Sequence, residues 1–144
     1  MKTTSLPGLP GLARLKLFWA LSRTPHGLLD MATPGLGAML WLGNLPPVAA
    51  VGLGLITAFS GYSAVYALND VVDYRVDRKK IQESGLRNSD HDLDAVYARH
   101  PMAQGMLGYR EGVLWMGGWA LLALIGSFLL NPACTLIFLA ACLL

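Results

Sequence analysis

Asn69-Asp70-Val71-Val72-Asp73-Tyr74-Arg75-Val76-Asp77, continued by Arg78-Lys79-Lys80, follows directly on an apolar run at residues 48–68. If the apolar run is a helix that continues past the membrane surface, Asn69, Asp73 and Asp77 fall at i, i+4 and i+8. Successive side chains are then rotated by only about 40° and form one oxygen-rich face. Asp70 stands at i, i+3 and i+7 with Asp73 and Asp77, so an amide and up to three carboxylates share one opening. Carboxylates this close repel one another unless a cation joins them. Oxygen ligands without His or Cys favour Mg²⁺ over zinc, and Mg²⁺ held by few carboxylates recruits phosphate oxygens for its remaining positions.

Outward from this stretch the chain is apolar. Of its 144 residues 54% are apolar and 14% charged, which excludes a disordered tail and argues against a water-soluble domain. Four apolar segments stand out, at about 28–45, 48–68, 112–130 and 132–144, and the middle two match a hydrocarbon core of about 30 Å. The expected fold is all-α, a multi-pass transmembrane bundle of about four helices. Residues 1–27 form a lead-in with a short interfacial helix near 12–21, which Pro25 ends. The last segment stops at Leu144 without a polar flank, so the chain reads as a fragment cut within its fourth helix.

All 11 basic residues lie either before the first span or between the second and third. By the positive-inside tendency, the N-terminus and the loop at 69–111 are cytoplasmic. The net charge of +2, with acids interspersed among the bases, excludes nucleic acid as a partner. Cys134 and Cys142 form no CxxC pattern and read as packing residues.

The bland alternative for the acidic run is a solvated helix end whose acids pair with Arg75, Arg78 and Lys79. Its register at the mouth of an apolar bundle weighs against that, because charge is costly there without a purpose. Asp90-His91-Asp92-Leu93-Asp94 reads as the acidic first turn of a short helix capped by Ser89 or Asp90, not as a second metal cluster. Asp30, in or near the first span, is a functional candidate or an interfacial carboxylate paired with Arg23 or His26. Trp41, Trp115 and Trp119 read as belt or bundle packing. Tyr62 and Tyr66, one turn apart, are candidates to line a cavity.

Asn69-Asp70-x-x-Asp73-x-x-x-Asp77 after a second transmembrane helix resembles the NDxxDxxxD motif of the UbiA-type intramembrane prenyltransferases. Arg23-Thr24-Pro25-His26 is similar to their Arg-Pro segment before the first span. His100-Pro101-Met102-Ala103-Gln104-Gly105 is similar to their RPxxxG segment, with His100 in place of the arginine and Arg99 beside it. The resemblance implies half of a bundle of about nine helices in a bacterial plasma membrane. It also implies transfer of a polyprenyl group from an allylic diphosphate to a lipophilic acceptor, an aromatic quinone-type precursor being the default.

Carried over, Asn69, Asp73 and Asp77 are the catalytic side chains, and together with Asp70 they are the Mg²⁺ set. Arg78, Lys79, Arg99, Arg23 and Tyr66 are the substrate-binding candidates. The family's second aspartate-rich motif is absent from these 144 residues, so a missing half or a partner chain is expected to supply it. An inactive truncated relative, or a small membrane protein that binds a divalent cation, is the rival reading. A CDP-alcohol phosphotransferase is disfavoured because its DGxxAR opening is missing after Asp70.

Overall fold

The computed structural model describes the backbone of residues 11–84 and 98–143, with side chains over 11–83 and 98–140. The acidic cluster at 90–94 with its proposed cap, the first ten residues and the Cys142 side chain lie outside the described residues. Within them the chain is all-helical: α1 (Gly11–Leu21), α2 (Thr24–Asp30), α3 (Ala32–Leu42), α4 (Val48–Ser84), α5 (Tyr109–Leu130) and α6 (Pro132–Leu143).

α4 and α5 are long and apolar enough to cross a membrane. With 37 residues α4 is about 55 Å long, well beyond a hydrocarbon core of about 30 Å, so it carries the acidic run on an unbroken helical extension. The segment at 28–45 is helical in two pieces. Pro25 lies in the first turn of α2, where its missing N–H costs nothing, so it starts this helix and is not the stop for α1. The break at Met31 has its cause in Pro34, whose ring crowds the Asp30 carbonyl one turn back and which has no N–H to donate to it.

α4 and α5 pack antiparallel along a seam of small residues. Thr57, Ser60, Ala64, Ala67 and Val71 recur on one side of α4 at intervals of three and four, and α5 buries Ala123, Gly126 and Ser127, with Gly126 directly against Thr57. At Gly126 the approach is too close for any side chain. A Cβ there would lie 2.2 Å from Thr57 Oγ1 and 3.1 Å from Thr57 Cβ, so rotating the threonine would not clear it. The seam hydroxyls are satisfied within their own helices, Thr57 donating to the Leu53 carbonyl and Ser60 to that of Ile56, both at 2.7 Å.

α1 buries one face, Leu17, Ala20 and Leu21, against α4 and α5. Its Phe18 and Trp19 enter an aromatic cluster with Phe59, Trp115 and Trp119, ring centroids 4.9–6.1 Å apart. Edge and tilted pairs of this kind are worth about 1 kcal/mol each beyond their buried area. Trp115 Nε1 donates to Ser22 Oγ at 2.8 Å, which explains a wholly buried serine. Trp41, by contrast, is exposed on α3.

The core of buried side chains sits at the motif end of α4, where Leu17, Leu21, Ala67, Val71, Met102 and Leu107 touch. Arg14 of α1 pairs with Glu111, which also accepts the Gly108 N–H at 2.9 Å and so holds the start of α5. α3 buries nothing, and no described side chain of α6 is fully buried, although Thr135 and Phe138 are partly covered and Thr135 meets Ser127 of α5.

Candidate functional site

Because α4 is unbroken through residues 69–84, the acidic run keeps the helical register read from its spacing. The fan from Asn69 through Asp73 and Asp77 to Asp70 spans about 100° of the helix, and the neighbouring elements cover only one edge of it. Asp70 and Asp77 lie at the covered edge; Asn69 and Asp73 lie at the open one.

Asp70 is 5% exposed. Its Oδ1 stands 3.6 Å from Arg23 Nη2 and 3.3 Å from His100 Nδ1. The same Nδ1 is 3.2 Å from Asp77 Oδ2, and Lys80 Nζ reaches the other oxygen of Asp77 at 3.9 Å. His100 therefore bridges two carboxylates seven residues apart on one helix face. Its N–H is aligned with neither, so these are ion-pair contacts and not well-directed hydrogen bonds. Asp70 at hydrogen-bonding distance raises the His100 pKa above its usual 6.5. Burial opposes this, the charges of Asp70 and Asp77 reinforce it, and that of Arg23 lowers it.

Both basic residues that face Asp70 come from strained backbone. Arg23 has φ 44° and ψ 47°, and His100 has φ 50° although it precedes a proline, which normally pushes the chain to an extended conformation. Non-glycine residues keep such angles only where their surroundings hold them there. For His100 the surroundings are a tight coil. The Pro101 carbonyl accepts Met106 N–H at 2.9 Å and Leu107 N–H at 3.3 Å, and Pro101, Met102 and Ala103 are buried. Gly105, at φ 78°, makes the turn that a side chain would strain. This gives the spacing from His100 to Gly105 its physical meaning: a proline to start the coil and a glycine to close it.

Asn69 and Asp73 are exposed, and neither forms a hydrogen bond or ion pair with a described residue. They continue a line that begins at Tyr62 and Tyr66, at i, i+4, i+7 and i+11. The first half of that line faces α2, where the Tyr62 Cβ lies 3.6 Å from the place a Cβ on Gly27 would occupy. The Tyr66 hydroxyl donates to the Asp30 carboxylate, with the His26 ring 6.4 Å and the Arg23 guanidinium 5.8 Å from the Tyr66 ring. Asp30 is thus anchored to a tyrosine of α4, a partner outside the pair Arg23 and His26 expected from sequence.

The remaining basic candidates divide. Arg23 and Arg99 join Ala20, Asp70, Ala98 and His100 around a small space of about 10 Å³. Arg78 turns to the other side of α4, donating to the Tyr74 hydroxyl at 2.7 Å with its guanidinium 5.9 Å from that ring. Lys79 is exposed and pairs with Glu83 at 3.8 Å. His100, which with Arg99 was expected from sequence to be able to face a phosphate, bridges two acids of the motif, a contact that no spacing showed. Its signal was its position, a histidine where the resembling segment has an arginine, on a chain otherwise poor in charge.

Among the described residues no three His, Cys, Asp or Glu side chains converge as a preformed metal cage. The donor set still fits Mg²⁺ of the kind that keeps most of its shell for phosphate and water. Asn69 and Asp73 offer unengaged oxygens one turn apart, with the partly exposed Asp77 beside them. Asp70 fits less well, since its carboxylate already carries Arg23 and His100.

The sequence model of the UbiA prenyltransferase family matches residues 31–144, a stretch that holds α3 to α6 with the whole acidic motif and leaves α1 and Arg23 outside. No curated protein and no solved structure matches the chain. With most of its length matched, and with two apolar helices long enough to span a bilayer, the chain belongs to the UbiA prenyltransferase family, whose members are integral membrane proteins.

Proposed function

We propose that the chain forms one half of a site that moves a polyprenyl group from an allylic diphosphate to a lipophilic acceptor, an aromatic quinone-type precursor by default. One observation carries this reading: the strip Tyr62, Tyr66, Asn69 and Asp73 runs from an aromatic, membrane-embedded end to two unengaged oxygen donors at the polar end. A prenyl diphosphate has the same polarity along its length.

Asn69 and Asp73, with Asp77 at their edge, would hold Mg²⁺. The metal, when bound, supplies positive charge to the departing diphosphate oxygens. Asp70 would keep Arg23 and His100 in place, with Arg99 beside them, as a fixed cationic wall next to the diphosphate, where pre-aimed charge costs no reorganisation as the leaving group forms. Arg78 and Lys79 face away from this wall and would contribute at longer range. In the reaction the allylic C–O bond breaks with its electron pair leaving on diphosphate. The acceptor carbon then bonds to the allylic carbon and loses its proton. A second aspartate-rich motif, from a further segment or a partner chain, would complete the metal shell. The charge distribution supports a cytoplasmic placement of this end.

The test is binding of a non-hydrolysable prenyl diphosphate to the purified chain in detergent, with and without Mg²⁺, compared with Asp73→Ala. Binding that requires both the metal and Asp73 is expected. Binding that ignores both would favour an inactive relative, and binding of Mg²⁺ without any diphosphate affinity would favour a simple cation-binding membrane protein.

A further inference from the structure

Steps of 100° per residue place Arg75 about 160° round α4 from Asp73, so the motif helix has a second polar side. There a groove of about 440 Å³ opens, lined by Val71, Val72, Tyr74 and Arg75 of α4 and by Tyr109 at the start of α5. None of these lining residues belongs to the metal and diphosphate set.

The groove is cationic. Arg75 is exposed and forms no hydrogen bond or ion pair with a described residue. No acid lines the groove, and nearby acids are already engaged, Asp77 by His100 and Lys80, and Glu111 by Arg14. Its walls are aromatic, the Tyr74 and Tyr109 rings lying 5.7 Å apart with their planes at 52°. Below it runs an apolar track: Val65, Leu68 and Val72 stand at i, i+3 and i+7, are 50%, 42% and 69% exposed, and lead directly to Arg75. An exposed apolar stripe that ends in an arginine beside two tyrosines, its guanidinium paired with no described residue, complements a molecule with an anionic head and a hydrocarbon tail. Such rings prefer the level of the headgroups, and the long arginine stem lets the charge reach that level from a helix in the bilayer.

We propose that this groove binds an anionic glycerophospholipid of the leaflet on the motif side, its phosphate on Arg75 and an acyl chain along Val65, Leu68 and Val72. A soluble phosphate uses only half of these features. The occupied groove would fix the start of α5 against α4 at the bilayer surface, with the phosphate about 160° round α4 from Asp73.

The experiment is native mass spectrometry of the full chain in detergent, titrated in parallel with phosphatidylglycerol and phosphatidylcholine. One interfacial arginine should favour phosphatidylglycerol by about fivefold. Arg75→Gln should bring the two lipids to parity, while Lys16→Gln, which removes an exposed charge on α1, should leave the preference intact. Arg75→Lys should retain part of it, which keeps the test decisive should the glutamine variant fold poorly. Equal retention by the unaltered chain, or a preference that survives Arg75→Gln, would overturn the proposal. So would displacement of the lipid by millimolar glycerol phosphate, which would mean that the groove reads phosphate alone.

Discussion

Asp70 and Asp73 are three residues apart on the same helix, and the fold treats them in opposite ways. Asp70 is buried against two basic side chains, Arg23 and His100, from other parts of the chain; Asp73 is exposed and pairs with no described residue. The difference comes from neighbours, not from register. α1 and the coil at 98–108 cover the Asp70 edge of the acidic fan, and no described element covers the other. A row of like residues on one helix can therefore hold two functions, one side fixing the architecture of the site and the other left available to a ligand.

The largest effect should come from Asp70→Ala, which removes a buried carboxylate from beside the partly exposed Arg23 and His100 and should cost about 2 to 3 kcal/mol of stability. Chemical denaturation in detergent would measure it, and a loss no larger than that of a surface substitution would break the contrast with Asp73.

The pH dependence of His100 sharpens the same contrast. Its pKa is raised in the folded chain, so the stability it contributes is fully present below the unfolded value near 6.5 and fades as pH rises through the folded value. In metal-free detergent solution, His100→Gln should lower the melting midpoint most in mild acid, and the gap to the unaltered chain should narrow in alkali. A gap that widens with pH would reverse the assignment.

Gly105→Ala should cost about 1 to 2 kcal/mol, because its φ of 78° is unfavourable for a side chain and the coil it closes delivers His100 to Asp70. Tyr66→Phe, on the open side, removes the hydroxyl that holds Asp30 and should cost about 1 kcal/mol. The same denaturation curves would rank these two.

Asp73→Ala should be the mildest for folding, within about 0.5 kcal/mol of the unaltered chain, as expected of an exposed side chain that pairs with no described residue. Its effect should appear instead in Mg²⁺-dependent binding of the diphosphate analogue. A variant that unfolds the chain would show that Asp73 belongs to the architecture after all.

Much of this was legible from residue order. The apolar run at 48–68 with its acidic continuation announced one long helix, because a 3.6-residue period needs no tertiary partner to be read. The oxygen-rich face followed from spacing, and the family from the motif it spells. The glycines and prolines were legible as punctuation, but Pro25 shows the limit. The same residue can close one helix or open the next, and only the backbone on either side decides which.

What the sequence determined by itself was therefore periodic and local: the helices, their apolar character, the charge asymmetry and the fan of Asn69, Asp70, Asp73 and Asp77. What only the tertiary structure decided was which edge of that fan is covered, and hence that His100 bridges Asp70 and Asp77, that Tyr66 holds Asp30, and that Arg75 lines a groove with Tyr74 and Tyr109. Helical spacing fixes the angle between side chains on one element. Burial and pairing depend on segments that lie 30 to 50 residues away in the chain, such as Arg23 and His100 around Asp70, and no local pattern encodes their arrival.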